Sequence, residues 1–310
     1  MKRIENIAIV GMGALGVLYG NLFAEKLGGQ AVAFVADDSR IEKYRENGVY
    51  CNGKRCDFQF SNGRHPGRPA DLLIFAVKGT ALQQAIKLTQ NLAGTDTIIL
   101  SLLNGIVSEE RIGAALGNRH VLYCVAQGMD AVKLGNRLTY THMGQLCIGI
   151  LPTEPEKQPL LQSVAALFDR VGLPYVIDAD IKRRLWSKWM LNVGVNQVVM
   201  VKRGTYGTIQ KPGKARETMI AAMREVMALA GLEGVGLTGE DLNGYVALVD
   251  TLSPEGMPSM RQDGIERRPS EVAFFSGTVI EKARKHGLAV PVNEGLYNAI
   301  KTIEEQYPTV

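Results

Sequence analysis

Through the first 180 positions, short apolar runs alternate with stretches of mixed polarity. Ile7-Ala8-Ile9-Val10 is unbroken apolar sequence, and Ala31–Val35, Asp71–Val77 and Thr97–Leu103 repeat the pattern. Runs this short, without polar alternation, suit strands covered on both faces, as in a parallel sheet with helices above and below. Val121–Val125, the stretch around Thr139–Thr141 and Leu146–Leu151 are expected to extend that sheet. Between the second and third of its strands, Val49–Cys56 reads as a hairpin on an Asn52-Gly53 turn, with the hairpin region running to Phe60 and a loop over 61–69. From Ile181 the period lengthens, and helices are predicted over 182–201, 213–231, 239–252, 268–286 and 292–306. Ala222, Met223, Val226 and Met227 fall on one helical face, which marks them as core. The pattern predicts an α/β Rossmann-type domain over 1–180 followed by an all-α domain over 181–310.

The first turn carries Gly11-Met12-Gly13-Ala14-Leu15-Gly16. In a GxGxxG placed between strand and helix, the first glycine allows the tight turn. The second lets the backbone approach a pyrophosphate, and the third lets helix and strand pack closely. The helix N-terminus then offers free N–H groups and the positive end of its dipole to the phosphates. Asp37-Asp38 follows the second strand at the distance expected of a ribose-binding acid. The motif in this setting points to a nicotinamide or flavin dinucleotide.

At 310 residues, with 46% hydrophobic and 21% charged positions, the chain has the size and balance of a two-domain globular protein. A net charge of +4 without a dense basic run, together with few aromatics, argues against nucleic acid. No apolar stretch reaches membrane-spanning length and the first strand begins almost at once, so a cytoplasmic protein without a signal peptide is expected. The four cysteines, Cys51, Cys56, Cys124 and Cys147, form no CxxC pair. The hairpin register sets Cys51 opposite Lys54, so reduced, packed thiols are expected. His65, His120, His142 and His286 lack metal-ligand spacing, and no metal site is expected.

Ligands of open parallel sheets bind beyond the carboxyl ends of the strands. There the sequence places the glycine turn, Asp37, Lys78 after Val77, and Asn104-Gly105 after Leu103. A second polar group opens the helical region. Lys188, Asn192 and Asn196 recur at i, i+4 and i+8 within apolar surroundings, on one face of a helix. Two readings stay open for them: asparagines that tie helix to helix beside a snorkelling lysine, or a stripe that faces a ligand. Pro258-Ser259-Met260-Arg261-Gln262-Asp263 precedes a predicted helix carrying Glu271. Taken alone, Ser259 reads as a helix cap and Glu271 as an ordinary carboxylate.

Over both domains the chain resembles the ketopantoate reductases (2-dehydropantoate 2-reductases). The resemblance rests on the glycine turn, Ala76-Val77-Lys78, Leu103-Asn104-Gly105, and a Trp-x-Lys-x-x-x-Asn-x-x-x-Asn helix at Trp186, Lys188, Asn192 and Asn196. Ser259-Met260-Arg261-Gln262-Asp263 with Glu271, and Ala289-Val290-Pro291-Val292-Asn293, continue it. It implies reduction of ketopantoate to pantoate by NADPH, on the route to pantothenate and coenzyme A. By the same resemblance Lys188 is the general acid and Glu271 places it. Asn104, Asn192, Asn196 and Ser259 hold the substrate. Gly11, Met12, Gly13, Ala14, Leu15, Gly16, Asp37, Lys78 and Asn104 form the cofactor site. A lysine of ordinary pKa, about 10.4, is protonated at neutral pH and can supply a proton and stabilise charge on oxygen.

Two positions depart from the family pattern. Asp37 stands where NADPH-dependent members carry an arginine, and a carboxylate there favours NAD(H) over NADP(H), although Arg40 follows one helical turn later. Gly256 replaces a family asparagine three residues before Ser259. Alternatives are therefore a reductase of another 2-keto acid or of an amino- or imino-acid-derived compound, and a non-catalytic dinucleotide sensor. A helical second domain also offers surfaces for a homodimer.

Overall fold

The computed structural model describes residues 2–64 and 68–308; His65, named above, lies outside the described residues, as does part of the expected 61–69 loop. Contacts divide the chain into two compact units, one running to Ile181 and the other beginning at Lys182.

The first unit is built on twelve strands and five α-helices. In chain order these are β1 (Ile7–Val10), α1 (Ala14–Leu27), β2 (Val32–Val35), α2 (Asp38–Asn47), β3 (Tyr50–Cys51), β4 (Lys54–Arg55), β5 (Gln59–Ser61), β6 (Leu72–Phe75) and α3 (Leu82–Thr89). They continue with β7 (Ile98–Ser101), α4 (Ser108–Leu116), β8 (Val121–Gln127), β9 (Val132–Leu134), β10 (Arg137–Thr139), β11 (Gln145–Gly149), α5 (Gln158–Val171) and β12 (Tyr175–Ile177). Eight strands form one sheet in the order β12-β11-β8-β7-β6-β1-β2-β5, parallel except for the β8–β11 pair. All residues of β1, β6 and β7 are buried, which is why their sequence is continuous apolar rather than alternating. The chain leaves β1 toward β2 on one side and returns to β6 on the other. This reversal opens a crevice beyond the carboxyl ends of the central strands. The core includes Phe23, Phe34, Leu122, Ile148 and Phe168. Each such fully buried side chain contributes about 1.5–3 kcal/mol of transfer free energy.

The hairpin forms as expected, with Cys51 paired to Lys54, and all four cysteines are free. Two short segments differ from the sequence reading. Gln59–Ser61 leaves the hairpin region and pairs with β2 as an edge strand of the main sheet. Arg137–Thr139 does not extend that sheet. It joins a separate sheet, ordered β4-β3-β10-β9, because its partners Tyr50–Cys51 come from the hairpin far away in sequence.

The second unit is helical: α6 (Ile181–Val201), α7 (Tyr206–Gln210), α8 (Lys214–Leu232), α9 (Gly239–Thr251), α10 (Ser259–Ile265), α11 (Ser276–Lys285) and α12 (Pro291–Glu304). Helix α6 is buried along most of its length, and Met219, Ala222, Met223 and Val226 of α8 lie in the core, whereas Met227, expected with them, is half-buried. Helices α7 and α10 are additions to the expected pattern. The expected 268–286 helix is interrupted: a single 3-10 turn over Val272–Phe274 precedes α11. Glu271 therefore stands just before that turn and is not carried on an α-helix. No described helix is long and apolar enough to cross a membrane.

Candidate active site

In the first unit the expected residues come to the carboxyl ends of four adjacent strands. The glycine turn follows β1, Asp37 follows β2, Lys78 follows β6 and Asn104 follows β7. Gly11 has φ +107°, and a Cβ there would lie 2.6 Å from the Ala76 backbone, so the turn requires glycine twice over. A Cβ on Gly16 would lie 2.0 Å from the Gly11 carbonyl oxygen, which is the close packing the third glycine permits. Gly13 is different. Its φ is −72°, and a Cβ would meet only the Ala76 carbonyl oxygen at an ordinary 3.5 Å. The fold itself tolerates a side chain at this exposed position.

Gly13 is the N-cap of α1, and among the described residues no side chain caps that helix and no acid sits in its first turn. Its N–H groups and dipole end are thus presented to an anion. A cleft beside the turn is lined by Val10, Gly11, Ala36, Arg40, Tyr44 and Val77, among others. The bare Gly13 backbone, the uncapped helix and the crevice fit a dinucleotide. Asp37 is engaged in the fold as well. Its Oδ1 accepts the Arg40 backbone N–H at 2.9 Å, capping α2, and its Oδ2 lies 3.5 Å from Arg40 Nε. Lys78 is exposed at the start of a short 3-10 turn, and Asn104 is half-buried before Gly105, whose φ is +105°.

Five positions after Asn104 comes a residue that the sequence pattern did not single out. Glu109, in the first turn of α4, is buried, and burial pushes its carboxyl up to about 7. Its Oε2 accepts from Ser108 Oγ at 2.8 Å, and Ser108 Oγ accepts from Ser101 Oγ at the end of β7, also at 2.8 Å. This chain of hydrogen bonds spans the loop that carries Asn104. The signal in sequence was weak, since an acid in a first helical turn is ordinary.

In the second unit, Lys188, Leu191 and Asn192 form the half-open strip of α6. Asn196, lower on the same face, is a tie between helices. Its Nδ2 donates to Asn192 Oδ1 at 3.3 Å, and its Oδ1 accepts from Ser259 Oγ at 3.3 Å and Met260 N at 3.2 Å. Ser259 is the first residue of α10, not its cap; Pro258 holds that position. The Asn192 Nδ2 atom is buried, with a hydrogen-bonding capacity that nothing among the described residues satisfies. Such a donor costs roughly 1–3 kcal/mol unless something accepts from it. Glu271 is buried on the turn before α11, and the Trp189 indole N–H donates to the Phe274 carbonyl at 3.0 Å. The Glu271 turn is thereby pinned to α6 one residue past Lys188.

A Cβ on Gly256 would sit 3.0 Å from the Tyr206 ring of α7, so that aromatic residue crowds the position. Sequence spacing gave no sign of Tyr206, because the contact joins the start of α7 to a loop fifty residues later.

Two family models cover most of the chain: ketopantoate reductase PanE/ApbA over residues 7–153 and its C-terminal partner over 180–304. The chain is 28% identical over 238 residues to the 2-dehydropantoate 2-reductase of Vibrio cholerae, covering 77% of this chain and 79% of that one. It is 26% identical to the 2-dehydropantoate 2-reductase of Pyrococcus horikoshii, covering 96% and 97%. Among solved structures, a PanE/ApbA family ketopantoate reductase from Ralstonia eutropha superposes with a TM-score of 0.84 at 24% identity, over 97% of this chain and 99% of that one. A D-mandelate dehydrogenase with NADH and anilino(oxo)acetate gives 0.85 at 21%, over 97% and 98%. A dimeric ketopantoate reductase from Staphylococcus aureus gives 0.79 at 20%, over 97% and 99%. With the glycine turn at a sheet reversal and the lysine–asparagine face of α6 both in place, this chain belongs to the ketopantoate reductase (PanE/ApbA) family of nicotinamide-dinucleotide oxidoreductases.

Proposed function

We propose that this protein reduces the C2 ketone of ketopantoate to the alcohol of pantoate, in the cytoplasm, on the route to pantothenate and coenzyme A. The observation that carries the reading is the Lys188–Asn192 strip: on a half-open face of a mostly buried helix it sets a cation beside a buried donor that has no partner among the described residues. A bound reduced nicotinamide supplies the hydride. Lys188 donates the proton that completes the alcohol and stabilises negative charge growing on the carbonyl oxygen. Asn192 donates to a substrate oxygen, Asn196 and Ser259 hold Asn192 in place, and Asn104 contributes a further polar contact. Glu271, fixed through Trp189 and Phe274, orients the Lys188 ammonium. Gly13 and the first turn of α1 receive the pyrophosphate, and Lys78 lies at the same strand ends.

For the dinucleotide we favour NADP(H), with the Arg40 guanidinium meeting the 2′-phosphate. Arg40 lines the cleft beside the glycine turn and already offsets the charge of Asp37. A homodimer, the state named for the S. aureus relative, is the assembly proposed, and light scattering on the eluting protein tests it.

One observation favours a second substrate reading. Tyr206 fills the space above Gly256, which changes the wall a branched keto acid would meet. A panel of 2-keto acids assayed with NADPH and NADH separates the two. Ketopantoate should give the highest kcat/KM, and Lys188→Ala should lower kcat by about 10²–10⁴-fold. Preference for another keto acid transfers the activity to that substrate. Cofactor binding without turnover of any keto acid overturns the catalytic reading, and an unchanged Lys188→Ala removes the general acid.

A further inference from the structure

The helical unit holds a second polar concavity, where the chain leaves the carboxyl end of α6. A cleft of about 340 Å³ is lined by residues that include Met200, Arg203, Arg261, Arg267, Ile303 and Tyr307, with no carboxylate among them. Nearby acids are already engaged: Asp263 and Glu266 pair with Arg268, and Glu304 pairs with Lys301 and accepts from Ser270. Among the described residues, none of the three lining arginines has a carboxylate partner.

Two further features set this cleft apart. The buried Arg261 Nε and Tyr307 hydroxyl are without partners among the described residues, although Arg261 Nη2 donates to the Arg203 carbonyl at 3.2 Å. Arg203 and Arg267 also have positive φ, 50° and 52°. The third described non-glycine residue of this kind, Asn52, sits in a hairpin turn where asparagine is at home. Two arginines therefore occupy backbone positions that glycine would adopt without strain, and both bring their side chains to the same cleft.

We propose that this cleft binds a phosphate monoester. Guanidinium groups of Arg203, Arg261 and Arg267 grip the phosphate oxygens in forked hydrogen bonds, and the Tyr307 hydroxyl donates to another. Met200, Ile265 and Ile303 cover an apolar remainder of the ligand. The cleft volume suits a small molecule. The site is independent of the substrate assignment, since none of its side chains has a role in the proposed reaction.

Phenyl phosphate is the probe, followed by calorimetry and ³¹P line broadening on the full-length protein. Because the glycine turn also suits phosphate, Gly13→Asp serves as a control that the fold tolerates. Saturable millimolar or tighter binding is expected in the native protein and in Gly13→Asp. The Arg203→Gly/Arg267→Gly double variant should lose at least tenfold in affinity and melt no lower than the native protein, because its backbone strain is relieved. Tyr307→Phe, which removes one hydroxyl, should weaken binding severalfold whatever the double variant's stability. No saturable binding, loss confined to Gly13→Asp, or full affinity in the arginine and tyrosine variants overturns the assignment.

Discussion

Asp37 holds the fold at the edge of the proposed dinucleotide site. Its Oδ1 caps α2, so Asp37→Ala would remove about 0.5–2 kcal/mol of helix stability along with the charge. Asp37→Asn separates the two effects, because the amide oxygen can still cap. With the charge gone and Arg40 released, NADPH is expected to bind about tenfold tighter, a change of about 1.4 kcal/mol, with NADH little improved. Arg40→Ala should act in the opposite direction, weakening NADPH and sparing NADH. Dissociation constants from cofactor fluorescence check both, and an NADPH affinity unmoved by Arg40→Ala refutes its contact with the phosphate. Glu271→Gln belongs at the same scale. If the carboxylate orients the Lys188 ammonium, kcat should fall and the pH–rate profile should shift while dinucleotide affinity is retained.

Elements extend this logic from side chains to segments. The β7–α4 connection carries Asn104 and is braced by Ser101, Ser108 and the buried Glu109. Burial raises the folded pKa of Glu109 to about 7, above its unfolded value of about 4.3. The folded state therefore holds a proton that the unfolded chain has released between those two values. Stability from the neutral carboxyl is complete below about pH 4.3 and is lost as pH rises through about 7. Glu109→Gln should lack this contribution to the pH dependence. Urea melts at pH 5 and pH 8 should show the native protein losing stability relative to the variant, and parallel losses in both would remove Glu109 as the cause.

The same scale explains what was readable in the sequence. β1, β6 and β7 are buried on both faces, so apolar continuity alone located them, and with them the glycine turn, Lys78 and Asn104. β5 and β10 are three residues each, too short to show a period, and their sheets are chosen by partners distant in the chain. Helices α7 and α10 contain five and seven residues and escape a pattern that needs several turns. The interruption before α11 was hidden for a similar reason: Glu271 stands in an apolar context that a helix would also satisfy. The Lys188, Asn192 and Asn196 stripe was legible from its spacing, whereas Ser259 and Glu271 became candidates only through the resemblance. Glu109, Tyr206 and the arginine cleft were not, because burial and contact across loops give them their character.

For the whole molecule, the two units each have an apolar core, that of the first running from Ile4 to Leu173. This arrangement predicts a division of labour that can be measured. A fragment of residues 1–181 should fold and bind the reduced dinucleotide with an affinity near that of the full chain, yet reduce no keto acid. A folded fragment that fails to bind would move dinucleotide recognition partly into the helical unit. Within that unit, α10 bears Ser259, which holds Asn196, and two residues later Arg261, which lines the arginine cleft.

The Trp189–Phe274 bond has an optical consequence. The chain's only two tryptophans, Trp186 and Trp189, lie edge to face at 5.2 Å on either side of Lys188, and the Lys282 ammonium lies over the Trp186 ring at 5.9 Å. All indole emission from the protein thus originates within one turn of the lysine assigned as the acid. Its wavelength and intensity report on water and charge at that helix, so under the proposed reaction a keto acid reaching Lys188 should change them without label or turnover.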